Sequence, residues 1–280
     1  MSSIQLYNKV TAQTSKYTTI KYSSSFSSAI KLLHTDLRQP IYDVYGLVRF
    51  ADEIVDTFHD FDKATLLAQF KLDTYKAIEL GVSLNPILHR FQITFNKYHI
   101  GKDLLDAFFT SMEMDLTNNA YNVNSYKEYI YGSAEVVGLM CLHIFCEGDL
   151  QLFESLKPSA QRLGAAFQKV NFLRDIKADY EGLERIYFPN CDFSNFTQED
   201  KLVIEQDIAS DFAAALIGIR HLPLKARFGV YVAFKYYLSL FNKIKKTKAH
   251  SILKTRIRVP DYGKLFIFAK AKIRSQLNLL

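Results

Sequence analysis

The chain has 280 residues, enough for one or two domains at about 150 residues each and for a large buried core, so a peptide or disulfide-stapled miniprotein is excluded. Hydrophobic residues make up 49% and charged residues 23%, with 22 Phe and 17 Tyr, which excludes disorder and low complexity. The formal net charge of +6 favours anionic partners (nucleic acid, an acidic membrane surface, a phosphorylated substrate) without choosing among them. With only 11 Gly and 6 Pro there are too few turns for a sandwich or barrel, and long helices are predicted.

In chain order, the opening MSSIQLYNKVTAQTSKYTTIKYSSSF is polar and lacks an apolar stretch behind a basic start. No secretory signal is expected, the mature chain is taken to begin near Met1, and residues 1–20 are predicted to form a poorly ordered polar segment. Helical periodicity then predicts helices over 26–36, 41–59, 62–80, 86–98, 102–116, 125–147, 149–156, 159–182, 197–221, 224–246 and 262–278. The prolines at 40, 86, 158, 189, 223 and 260 are expected mostly to separate them, where a residue without an N–H is tolerated. The most apolar long stretch, 130–146, carries Glu135 and His143, which predicts a buried core helix in place of a membrane span. No repeat and no linker divides the chain, so a single all-α domain over 1–280 is predicted. Cys141, Cys146 and Cys191 are odd in number and lack C-x-x-C spacing, which argues against a disulfide framework or thiolate zinc site and fits a reducing cytosol. The histidines show no pairing with a glutamate at zinc-hydrolase spacing, and no zinc site is predicted.

Two segments carry chemistry. In Tyr45-Gly-Leu-Val-Arg49-Phe-Ala-Asp52-Glu53-Ile-Val-Asp56, a helix at about 100° per residue gathers Tyr45, Arg49, Asp52 and Asp56 into one stripe. Leu47, Val48, Ala51, Ile54 and Val55 fill the other faces, so the helix is predicted to be buried and its acids to need an Arg, a Lys or a metal cation. The second stripe is Gln168, Asn171, Asp175 and Asp179, at spacings of three, four and four. Carboxylate and amide oxygens are hard ligands suited to magnesium, which keeps several waters and binds through a few carboxylates together with substrate phosphates. A single acidic stripe is most often a solvated face. Two on apolar helices, each joined by an arginine in a basic, aromatic-rich chain, are a more specific pattern.

With these residues in view, the sequence resembles the squalene and phytoene synthase family, whose members join two prenyl diphosphates head to head. Ser25-Phe26 resembles the family's N-terminal Ser-Phe element, and YGLVRFADEIVD (45–56) is similar to its first aspartate-rich motif, with Glu53 where many members have Asp. YIYGSAEVVGLM (129–140) resembles the central small-residue segment, with Glu135 where many members have Gly. FQKVNFLRDIKADYEGLERIYFP (167–189) resembles the second motif with its Arg-x-Tyr-x-Pro continuation at Arg185 and Tyr187, and TRIRVPDYGKL (255–265) resembles the basic close. The resemblance implies an all-α isoprenoid synthase bundle around a central apolar cavity. It also implies magnesium, with manganese as the alternative ion, on Asp52, Asp56, Asn171, Asp175 and Asp179. Tyr45, Arg49, Gln168, Arg174, Arg185 and Tyr187 are implied as diphosphate or neighbouring contacts, and Ser25 and Phe26 as part of the substrate site. Asp52, Asp56, Asp175, Asp179, Tyr45 and Arg49 are the residues it makes catalytic.

Ionising an allylic diphosphate separates an anion from a carbocation, so one end of the site must neutralise charge and the other must exclude water. Aromatic faces stabilise a cation by about 0.5–2 kcal/mol, and Phe26, Tyr45, Tyr131 and Tyr236 are the candidates, ordinary core packing being the alternative for each. Ala134 and Gly138, one turn apart, either leave room for a prenyl chain or let helices pack closely, and the resemblance favours the first. The expected product is phytoene from two geranylgeranyl diphosphates, through a cyclopropyl diphosphate and without NADPH. The alternatives are a farnesyl-using dehydrosqualene or squalene synthase and a non-catalytic member of the fold. A nucleic-acid role is suggested by charge alone and is not expected. The basic run Lys243, Lys245, Lys246, Lys248, Lys254, Arg256 and Arg258 is either a solvated helix end or a peripheral contact with anionic lipid, at the inner face of the membrane of a cytoplasmic enzyme. Oligomeric state is not legible.

Overall fold

A computed structural model describes the chain apart from residues 119, 183–184, 190, 192–195, 254–256, 258–262, 264–266 and 273–280 and the side chains at 178–182. The described residues form α-helices with a single isolated parallel bridge, Ala120 to Ile186, in agreement with the predicted all-α class. The basic close at 255–265 lies outside the described residues apart from Ile257 and Gly263, and the last predicted helix is described only in part, being helical at 267–272.

Residues 1–20, predicted to be poorly ordered, lie instead almost wholly within α1 (Ser3–Tyr22), started by a capping box in which Ser2 and Gln5 satisfy each other's backbone N–H groups. The helix is held by a small polar face, Thr11, Ser15, Thr18 and Thr19, which an apolar-periodicity reading does not register as a core face. It packs on α3 (Thr35–Asp56) and α5 (Pro86–Lys97), and α3 and α5 meet closely where a Cβ on Gly46 would lie 3.3 Å from the Ile87 side chain. Tyr7 donates to the Ser83 carbonyl at 2.6 Å, and His89 and Asn8 share a 2.7 Å hydrogen bond.

Between them α2 (Ser24–Ile30) is capped by Ser23, and α4 (Lys63–Leu80) runs from an Asp62 cap to Gly81, whose φ of 68° is the left-handed conformation that ends helices. Proline behaves in two ways. Pro86 opens α5, yet Pro40 lies inside α3 and Pro158 inside α9 (Leu150–Gly182), which merges the two helices predicted over 149–156 and 159–182. An interior proline costs about 3 kcal/mol, and here packing on both sides of the helix outweighs the lost hydrogen bond.

α6 (Lys102–Thr117) leads to α7 (Val123–Ile130), a π segment (Tyr131–Glu135) and α8 (Val136–Cys146), which together replace the single helix predicted over 125–147. Val123–Cys146 is long and apolar enough to cross a membrane by length and composition, but 61% of its apolar window is buried inside the fold, as expected of a core helix. The π segment is wedged between neighbours. A Cβ on Gly132 would lie 2.3 Å from the Ala107 carbonyl oxygen of α6, and one on Gly164 of α9 would lie 2.5 Å from that of Ala134. Gly132→Ala is therefore expected to destabilise the protein by about 2 kcal/mol, read as a lowered denaturation midpoint; a wild-type midpoint would contradict this packing.

α9 runs through the middle of the molecule, flanked by α8 and the π segment on one side and by α10 (Gln198–His221) and α11 (Leu224–Lys245) on the other. A short α12 (Ala249–Ile252) follows. Lys169 of α9 is buried against Asp207 and Asp211 of α10, and Arg162 reaches Asp211 at 3.0 Å, so the two helices are cross-linked by charge behind the cavity wall. Glu135 is partly buried and accepts a 3.0 Å hydrogen bond from Gln161 of α9.

Candidate active site

Helices α2, α3, α8, α9, α10 and α11 enclose a cavity of about 490 Å³. α3 presents Tyr45, Arg49 and Asp52 to it, and α9 presents Gln168, Asn171 and Arg174, so the two stripes meet at one space. Deeper in, the wall is apolar. Ala134 and Gly138 both line it, and a Cβ on Gly138 would lie 2.9 Å from the Ala160 carbonyl oxygen, so this glycine serves both chain room and close helix packing.

At the polar end each arginine is held by an acid. Arg49 is ion-paired with Glu53 and lies 4.0 Å from Asp52, and its guanidinium sits over the Tyr22 ring at 4.4 Å. Its Nε is buried with no hydrogen-bond partner, a donor left over for an anion. Arg174 chelates Asp175 through Nε and Nη2, with Nε to Oδ1 at 3.0 Å. Asn171 accepts a 3.3 Å hydrogen bond from Tyr237. Burial, then the Asp56 charge one turn away, pushes the Asp52 carboxyl up to about 8, with Arg49 pulling the other way. Burial likewise pushes the Tyr45 hydroxyl up to about 12.

Asp56, one turn beyond Asp52 on α3, is not among the residues that line the cavity and makes a 2.8 Å ion pair with Arg185. Arg185 is buried and also donates to the Val55 and Asp115 carbonyls, at 3.3 and 2.9 Å. Expected to contact substrate, Arg185 and Tyr187 instead stand behind the first stripe: Tyr187 stacks on Phe172 at 4.0 Å and donates to Asp115 at 3.2 Å. Asp115 also receives Tyr129 at 2.7 Å and Tyr121 at 3.3 Å. Burial pushes its carboxyl up to about 6 against the pull of Arg185 and Tyr129. Tyr129 lines the cavity, so this buried network supports both the Asp56 end of α3 and one wall residue.

Several expectations need correction. Ser25 does not line the cavity; Ser23 does, and its hydroxyl accepts the Phe26 N–H at 3.2 Å to start α2. Of the aromatic candidates, Phe26 and Tyr45 line the cavity, whereas Tyr131 and Tyr236 do not. Phe167 and Tyr237 take their places, stacked at 3.9 Å with Phe26 packed 5.7 Å from Tyr237. Gly229, Ala233 and Tyr237 all line the cavity at four-residue spacing, the pattern that would have chosen Tyr237 over its neighbour. Asp115 carried no sequence signal. Asp175 borders the site through Arg174, and the Asp179 side chain lies outside the described residues.

Among the described residues no three His, Cys, Asp or Glu side chains converge as an all-protein metal cage. The donor set still fits magnesium, whose shell is completed largely by water and phosphate oxygens: Asp52 and Asp56 one turn apart, and Asn171 and Asp175 on the facing helix, offer only hard oxygens.

A helical bundle that closes an apolar, aromatic-lined cavity with acid–arginine pairs at one end is the architecture of an isoprenoid synthase. The match to the squalene/phytoene synthase family covers residues 19–262. The phytoene synthase of Arthrospira platensis is 25% identical over 300 aligned positions, covering 98% of this chain and 94% of that protein. The 4,4'-diapophytoene synthase of Staphylococcus haemolyticus is 25% identical, covering 90% and 92%. The crystal structure of a dehydrosqualene synthase in complex with ligand matches with a TM-score of 0.84 at 21% identity, covering 98% of this chain and 99% of that one, a likeness of fold. The chain belongs to the squalene/phytoene synthase family and is accordingly a prenyltransferase that joins prenyl diphosphates head to head.

Proposed function

We propose that the protein condenses two geranylgeranyl diphosphates to phytoene through a cyclopropyl diphosphate, with magnesium as its cofactor and no use of NADPH. The observation that carries the reading is the single cavity that receives Asp52 and Arg49 from α3 and Asn171 and Arg174 from α9 above a wall of Phe26, Phe167 and Tyr237. Magnesium, when bound, supplies Lewis-acid charge to the leaving diphosphate, and Asp52, Asp56, Asn171 and Asp175 are the residues that would hold it. Arg49 and Arg174 offer charge-assisted hydrogen bonds to the diphosphate oxygens as the C1–O bond of the first substrate breaks. The stacked rings face the allylic cation, and the apolar wall keeps water from capturing it. The double bond of the second substrate then attacks C1, and proton loss closes the cyclopropane. Ionisation of the remaining diphosphate, rearrangement and a second proton loss give the triene.

The second reading, a farnesyl-using enzyme, is supported by the similarity to the Staphylococcus protein named 4,4'-diapophytoene synthase, 25% identical like the phytoene synthase. Incubating purified protein and magnesium with farnesyl or geranylgeranyl diphosphate, with and without NADPH, separates the two by product mass. The expected result is a forty-carbon triene that does not depend on NADPH. A thirty-carbon product formed in preference would install the farnesyl reading, and no hydrocarbon from either substrate would end both.

A further inference from the structure

α1 is amphipathic in the inverse sense. Its polar side, Thr11, Ser15, Thr18 and Thr19, is buried against the bundle, while Leu6, Val10, Tyr17 and Ile20 are 51%, 56%, 62% and 40% exposed. With Gln13 these four recur at spacings of four, three, four and three, so they form one continuous stripe on the side away from the body. Lys9 and Lys16 border the stripe on one side and Lys21 on the other, with the Lys21 ammonium 5.2 Å from the Tyr17 ring. No Asp or Glu occurs before Asp36. The same helix ends at the active site, because Tyr22 and Ser23, directly after the stripe, line the polar end of the cavity.

The geometry points to α1 as a membrane-docking helix that lies in the plane of an anionic lipid surface with the Leu6–Val10–Tyr17–Ile20 stripe among the acyl chains and its lysines at the headgroups. Exposed apolar residues flanked by cations and free of acids are what an interfacial helix requires, and the charge is complementary to anionic lipid. A second copy of this chain is disfavoured as the occupant, since self-docking would set one all-lysine border against another. The biological reason rests on the proposed function: the substrates are amphiphiles with a lipid tail, the product is an insoluble hydrocarbon, and the docked helix holds the cavity mouth at the surface that supplies one and receives the other. This site is distinct from the basic run around Lys245, the sequence feature that first suggested lipid contact.

The test is co-sedimentation of the full chain with vesicles of phosphatidylcholine alone or mixed with phosphatidylglycerol, at low and high salt. Binding to the mixed vesicles, weakened by salt and about tenfold weaker for the double variant Val10→Glu with Tyr17→Glu, is expected. A second double variant, Lys245→Glu with Lys246→Glu, is expected to bind like wild type. The proposal is overturned by absence of binding to either vesicle, by binding unchanged in the α1 variant, or by loss confined to the Lys245 variant. It is also overturned by a wild-type dimer in light scattering that the α1 variant splits. Thermal unfolding checks that the surface variants remain folded, and turnover in detergent, where no bilayer is present, is expected to stay at the wild-type rate in the α1 variant. Vesicle binding requires no turnover, so failure of the docking helix and failure of the catalytic reading give different results.

Discussion

Asp52→Ala is expected to lower turnover about a thousandfold while leaving the free protein at least as stable as wild type at pH 8. The two halves have one cause. Asp52 is the acid of its stripe that faces the cavity, and its carboxyl is pushed up to about 8 by burial and by Asp56, so its charged form works against the folded state until a cation arrives. The folded value lies above the ordinary 3.8, so the stabilisation is complete at low pH and is lost as pH rises from about 4 through about 8. Denaturation of the free wild-type protein across that range should show a decline that Asp52→Ala lacks. A variant that keeps full turnover would remove Asp52 from the chemistry, and one that loses stability at pH 8 would refute the electrostatic account. Sites built for charged ligands commonly trade stability for function in this way.

Arg185→Met is expected to cost about 3 kcal/mol at pH 8 and less at pH 5. The guanidinium is buried between Asp56 and Asp115 and donates to two carbonyls, so its loss leaves the Asp115 carboxylate buried without its cation and removes the 2.9 Å bond to the Asp115 carbonyl, while Val55 keeps its donor in Lys63. Asp115, already raised to about 6 with the arginine present, must then stay protonated in the folded state, at a cost that grows with pH above the ordinary carboxylate value. Urea denaturation at the two pH values measures this. A penalty independent of pH would mean that the residue acts through packing alone. Because Arg185 holds Asp56, a fall in turnover is expected alongside, without any direct contact between Arg185 and substrate.

How much of this was visible in the sequence varies with the kind of force involved. That Asp52 and Asn171 face one space is legible because acids and amides on apolar helices are costly to bury unpaired, and helical spacing sets the face each occupies. Tyr236 and Tyr237 are alike in the sequence, both aromatic and both buried, and only the small residues Gly229 and Ala233 on the preceding turns show that Tyr237 faces a space. Asp115 looked like any acid near a helix end; its partners Tyr121, Tyr129, Arg185 and Tyr187 are scattered along the chain and meet only in the folded state. α1 escaped because it buries threonine and serine and exposes leucine and valine, the reverse of the pattern that usually announces a core helix. The splitting of α9 at Pro158 failed for a different reason, a local rule overridden by packing on both sides.

Both arginines that line the polar end already have an acidic companion, Arg49 with Glu53 and Arg174 with Asp175. The resting pocket is thus its own counterion. A lone pyrophosphate must strip guanidinium from carboxylate and strand the acid, and a lone divalent ion must do the converse. Arriving together, the two incoming charges re-pair both halves at once, so occupancy by either should sharpen affinity for the other, and an empty pocket should show little appetite for either alone.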